Sequence, residues 1–265
     1  MMGGTARFII PAALAALCAG MLWAQPPLEP AKPGETRVIH DIEFVWVPAG
    51  EITPGDEPAR VAAATGGRPE WLADSAPRPA VKIPGGFWMT RTEITRRQWQ
   101  RVMDTTPWKE HDAEDNPDLP AAWMGFEEAA AFAKSLGEGD EATFRLPSED
   151  EWEHACRAGA ATVFPFGDDA SPLLEHGWFR GNAQDGRVRP AGGLQPNAWG
   201  LFDMLGNVWE WCDSAYDPAI EGVNIRVIRG GAVNQPAVFT RPGARLGRPA
   251  DKPGARIGLR VICEP

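Results

Sequence analysis

GLFDMLGNVWEWCDS (residues 200–214) sets Asp203, Asn207, Glu210 and Asp213 among Phe202, Trp209 and Trp211. An ordinary core strand does not carry so many carboxylates and amides beside such large rings. An ordinary surface loop does not carry so many rings. The segment therefore reads as one that gathers oxygen atoms while its rings pin it to a core. What those oxygens hold depends on the rest of the chain.

The chain has 265 residues, enough for one large domain or two small ones with a sizeable core. Hydrophobic residues make up 43% and charged residues 23%, a globular rather than a disordered balance. Twenty-nine Gly, 26 Pro and 12 Trp indicate a turn-rich chain whose loops are anchored by bulky rings. The net charge of -10, with no basic stripe, excludes nucleic acid as a partner, because phosphate binding needs an excess of Lys and Arg.

Residues 1–24 have the layout of a secretory signal peptide: Arg7, an apolar run over 8–22, then small residues ending in Ala24. The run is short for a spanning helix and contains Pro11. The expected mature protein is exported, periplasmic or secreted, with no membrane attachment after cleavage. It keeps Cys156, Cys212 and Cys263, for which an oxidising compartment predicts one disulfide, with the pairing open. His40, His111, His154 and His176 are scattered and make no metal triad.

Residues 25–37 read as a Pro-rich linker and 38–265 as a single domain. The alternation in VIHDIEFVWVPAGE predicts one or two strands from Val38, and residues 51–79 read as a long surface loop. Helices are expected after Thr95, in FEEAAAFAKSL with Phe126, Ala130, Ala133 and Leu136 on one face, and after Ser148, where Glu151 completes a capping box. Beyond Gly159 the pattern is loops and short strands, ending in ARIGLRVI. Few helices and short strands predict an α+β fold with small sheets and many irregular loops.

The motifs WVPAGE, FWMTRTEIT, RLPSEDEWEHACRAG, FPFG, QPNAWGLFDMLGNVWEWC, RVIRGGA and IGLRV occur in this order. In that order they resemble the formylglycine-generating enzymes, the sulfatase-modifying-factor family, over residues 38–262. The resemblance implies a variant of the C-type lectin-like fold. It also implies that the segment quoted first is a structural calcium loop. Asp203 and Glu210 would supply carboxylates to the ion, and Gly206 and Val208 backbone carbonyls, which suits a hard cation taking six to eight oxygens. The family's second calcium loop corresponds to residues 181–190, which are too few to build it, although they include Asn182 and Asp185.

The family's enzymes oxidise a sulfatase cysteine with oxygen at a cysteine pair that binds copper(I). Soft thiolates suit that ion. In this chain the corresponding segment reads RGGAVNQPAVFTRPGARLGRP, with Gln235 and Thr240 where the thiols belong. No catalytic residue and no copper are therefore expected, and the chain reads as a pseudoenzyme. The expected role is binding of a protein or peptide ligand in the groove that catalytic relatives use. The alternative is an oxidoreductase working through an unrecognised metal site. Arg229, Arg241, Arg245 and Arg248 read as ion-paired within the fold rather than as a ligand groove. Glu149, Asp150, Glu151 and Glu153 read as stabilising a helix start.

Overall fold

The computed structural model describes residues 31–265 except 69, 71, 113, 218 and 221. The signal peptide expected at 1–24 and the start of the linker lie outside the described residues.

The chain enters through a hairpin, β1 (Thr36–Ile39) and β2 (Ile42–Val47), so strand structure begins two residues before the expected domain boundary. His40 and Asp41 both have positive φ (50° and 59°), as a two-residue hairpin turn matching strand twist requires. A short strand β3 (Gly50–Ile52) follows and pairs with β4 (Val81–Ile83). Between them the expected loop is in fact structured. It contains helix α1 (Pro58–Thr65) and a 3-10 turn at Ala73–Ser75, and buries Asp56, Val61, Leu72 and Ser75. Pro at the first helical position and three consecutive alanines support α1 locally.

The main sheet orders its strands β1-β2-β5-β11-β6, with β5 at Phe87–Thr90, β6 at Thr143–Arg145 and β11 at Ile262–Glu264. The last strand of the chain is thus inserted between two earlier ones, antiparallel to both. A second sheet runs β10-β7-β8-β9, with β7 at Trp209–Ala215, β8 at Ile225–Arg229, β9 at Arg245–Pro249 and β10 at Ile257–Gly258.

Helix α2 (Arg96–Met103) starts at Thr95 and α4 (Glu149–Arg157) at Ser148, both with complete capping boxes through Gln98 and Glu151. Helix α3 (Phe126–Leu136) lies where its periodicity placed it, and α5 (Leu173–His176) is a single turn. On α3 the buried face is Phe126, Ala129, Phe132, Ala133 and Leu136, with Ala130 only half-buried, so the apolar stripe is offset slightly from the expected one. Trp99 of α2 stacks on Phe132 of α3 with centroids 5.3 Å apart. No helix of the described residues is long and apolar enough to cross a membrane.

Ser148 accepts from the Glu151 amide, and Glu151 reaches back to the Ser148 amide at 2.8 Å. Replacing Ser148 by Ala should lower the unfolding free energy by about 1 kcal/mol in a urea titration. An unchanged midpoint would show that α4 is held by tertiary contacts alone.

Candidate functional site

The loop before β7 depends on backbone that most residues avoid. Asp203, Gly206 and Asn207 all have positive φ, and a Cβ on Gly206 would lie 1.9 Å from the Trp178 carbonyl oxygen. The Gly206 amide donates to the Gly230 oxygen at 2.7 Å. Asn207 clamps a neighbouring loop with its side chain, accepting from the Arg189 amide at 2.9 Å and donating to the Arg189 carbonyl at 3.1 Å.

The carboxylates of this loop point inward. Glu210 is wholly buried and accepts from Arg260 Nε through both oxygens (2.9 and 3.0 Å) and from Trp152 Nε1 at 2.6 Å. Arg260 completes its bonds with the carbonyls of Thr90 and Phe202. Asp203 is also buried and accepts from the Gly192 amide through Oδ2 alone. Burial pushes the Asp203 and Glu210 carboxyls up, with Arg260 pulling Glu210 back.

Of the four residues expected to hold calcium, Asp203 lies near enough to Glu210 for its charge to raise the Glu210 carboxyl. Both Glu210 oxygens are spent on a guanidinium and an indole, and Gly206 belongs to the turn. Beside Asp203 and Glu210 the structure also places Glu93, from the FWMTRTEIT motif. Glu93 is wholly buried, and neither of its carboxylate oxygens has a hydrogen-bond partner; Asp203 Oδ1 lacks one too. Burial, then the charge of Asp203, push the Glu93 carboxyl well up. A lone acid between Thr92 and Ile94, three residues beyond a buried strand, was the signal available. Asn182 and Asp185 serve their own loop: Asn182 caps the Phe179 amide, and Asp185 pairs with Arg189.

In the RGG segment, Gly231 (φ 83°) passes so close to Phe239 and Thr240 that a Cβ would lie 2.6 Å from the Phe239 oxygen. Gln235 is half-buried, and its carbonyl accepts from the Arg180 amide at 2.9 Å. Thr240 is buried and its hydroxyl donates to the Ala237 carbonyl at 3.0 Å.

The arginines that follow are structural. Arg229, wholly buried, donates to Glu149 at 2.7 Å and Glu153 at 3.0 Å. Arg241 meets Asp56, Arg157 bridges Asp56 and Glu153, and Arg245 reaches Glu149 at 2.9 Å. Arg248 differs, binding the carbonyls of Lys252 and Pro253. The acidic start of α4 therefore does more than favour a helix terminus: Glu149 and Glu153 neutralise the centre, Asp150 pairs with Arg78, and Glu151 pairs with Arg145.

The histidines lie apart. His40 pairs with Asp140, His111 stacks on Trp123, His154 bonds the Pro48 carbonyl and His176 stacks on Phe166. Among the described residues no group of three or more His, Cys, Asp or Glu side chains is arranged to hold a metal ion. Cys156, Cys212 and Cys263 are all free and buried, so the expected disulfide does not form; burial pushes the Cys263 thiol up to about 12. A surface cleft of about 560 Å³ is lined by His111, Trp123, Arg187 and Arg256 among others, with the two rings stacked 4.0 Å apart along it. That volume is within the range of small-ligand sites, roughly 300–1,000 Å³.

A family model described as the sulfatase-modifying factor enzyme 1-like domain matches residues 30–265. The chain is 27% identical over 233 residues to the formylglycine-generating enzyme of Mycobacterium tuberculosis, covering 73% of this chain and 74% of that protein. It is 34% identical over 160 residues to a Mus musculus protein named inactive C-alpha-formylglycine-generating enzyme 2, covering 54% of this chain and 48% of that one. The match thus spans about half the length of the mouse relative. The solved structure of PvdO from Pseudomonas aeruginosa superimposes with a TM-score of 0.73 and 26% identity, over 89% of this chain and 100% of that one.

Replacing Arg229 by Met should cost about 3–5 kcal/mol in a denaturant titration, because Glu149 and Glu153 would lose a buried counter-charge. Burial raises Glu149 and Glu151, but their arginine partners outweigh it and hold both below the ordinary 4.5. Their contribution is therefore complete above about pH 4.5 and is lost as pH falls through their depressed values. Melting temperature followed below that pH should fall, and Glu149→Gln should flatten the fall.

Proposed function

We propose that this chain, which belongs to the sulfatase-modifying factor enzyme 1-like family and has its formylglycine-generating-enzyme-like variant of the C-type lectin fold, is an exported protein that binds a protein or peptide without oxidising it. One observation carries the reading. The positions that resemble the family's copper(I) pair hold Gln235 and Thr240, and Thr240 is sealed in the core with its hydroxyl spent on Ala237. Neither side chain is a soft ligand for copper(I) or can form a mixed disulfide.

Two further features agree with it. The remaining thiols of the described chain, Cys156, Cys212 and Cys263, are buried, and burial pushes all three up, away from the reactive thiolate. A relative at 34% identity carries the name of an inactive enzyme. Export rests on the leader-like residues 1–24. The cleft beside His111 and Trp123 offers a ligand stacked rings for apolar contact, with Arg187, Arg256, Asp112 and Glu114 as charged groups in its lining.

The test is to incubate the purified protein with a cysteine-containing sulfatase-motif peptide, oxygen and copper(I), and to read the peptide mass. The peptide should remain unchanged beside a working formylglycine-generating enzyme. Loss of its thiol with gain of an aldehyde would overturn the reading.

A further inference from the structure

The cleft beside His111 and Trp123 holds positive charge that the fold leaves uncommitted. Elsewhere the arginines of the framework are matched to carboxylates, as Arg157, Arg229 and Arg245 are. Arg187 is not. Of the acids whose charge it feels, Asp112 is bonded to Arg96 at 2.5 Å and Asp185 to Arg189 at 2.8 Å. The Arg187 guanidinium is exposed and makes no hydrogen bond or ion pair among the described residues. Arg256 donates from Nε and Nη2 to a single carbonyl, that of Gly186, which leaves Nη1 open. Both side chains line the same cleft, and no hydrogen bond joins the carboxylate of Glu114, in the same lining, to either of them.

The aromatic wall of the cleft is held in an uncommon conformation. Trp123 has a φ of 67°, in the left-handed region that bulky side chains avoid. Its amide donates to the Gly254 carbonyl at 3.1 Å, two residues before Arg256, which ties the ring's backbone to the arginine's segment. The half-buried indole stacks on the exposed His111 ring at 4.0 Å and 24°. Backbone strain of this kind collects at ligand sites. Flat apolar surface and open guanidinium donors therefore share one cleft.

We infer that this cleft takes an acidic segment of a polypeptide, with a carboxylate side chain on Arg187 and Arg256 and a neighbouring apolar side chain against Trp123 and His111. The inference rests on the peptide-binding reading above and names the chemistry of the peptide. A guanidinium offers a carboxylate paired, charge-assisted donors. A basic segment would set like charge against two guanidiniums, and a wholly apolar one would leave their open donors to water. The chain's net charge of -10 does not cancel this local preference, since exposed charges beyond about 8 Å are screened at physiological ionic strength.

The experiment reads labelled, purified protein on an array of acetylated and amidated hexapeptides, Gly-Ser-X-Z-Ser-Gly, with X and Z varied over the natural amino acids. Binding should be strongest where one variable position is Asp or Glu and the other is apolar or aromatic. Exchanging that acid for its amide should weaken binding about tenfold. Arg187→Gln, which breaks no contact within the fold, should keep the wild-type melting temperature and lose the preference for acid over amide. Arg187→Glu should turn the preference toward Lys and Arg, and His111→Ala should weaken the preference for an apolar neighbour while the acid is still selected. Peptide binding without an acid preference would overturn the inference and leave the peptide-binding reading standing, as would an acid preference unchanged in Arg187→Gln. Binding to no peptide of the array would overturn both.

Discussion

Arg260 is the residue on which the two sheets depend. Its guanidinium is wholly buried and directs its donors to three parts of the chain: Thr90 at the end of β5, Phe202 in the loop, and Glu210 in β7. Trp152 then ties the same Glu210 to helix α4. A planar fork with five donors can satisfy such divergent acceptors at once, which the point charge of a lysine cannot. Arg229 repeats the device a strand away, joining β8 to both turns of α4 through Glu149 and Glu153. Buried ion pairs of this kind return little net stability over apolar packing, yet losing one partner strands the other. The framework is therefore intolerant of change at its charges and tolerant of change elsewhere.

That division lets a chain with no cysteine between Cys212 and Cys263 keep the family's architecture. None of the framework contacts involves Gln235, and Thr240 is satisfied by its own turn at Ala237. The glycines at 230 and 231 shape the segment whatever side chains follow, since both lie at positive φ. Fold and chemistry are separable, so the architecture by itself assigns this chain no reaction.

The sequence revealed those elements whose cause is local. Thr95 and Ser148 announce helices because a cap and its reciprocal partner lie three residues apart. Helix α1 escaped because its flanks are rich in Gly, Pro and Ala, and only Val61 on it is buried. The pairing of Arg229, Arg241 and Arg245 could be expected from a basic cluster in an acidic chain, though the identity of the partners could not. The guanidinium that meets Glu210, Arg260, lies 50 residues away and could not be read from the segment around Glu210. Glu93 was overlooked for the same reason: its nearest acid, Asp203, belongs to a loop formed more than a hundred residues later. Long-range charge pairing is what a linear reading misses.

The position of β11 has a consequence for how the molecule is made. Residues 262–264 fill the gap between β5 and β6, strands laid down more than a hundred residues earlier. Arg260, which locks the second sheet to the first, precedes them by only two residues. Neither the main sheet nor its internal lock can close while the ribosome still holds this end of the chain. The nascent protein must wait, largely unlatched, until synthesis passes these residues, and closure then draws the two sheets together in one late step.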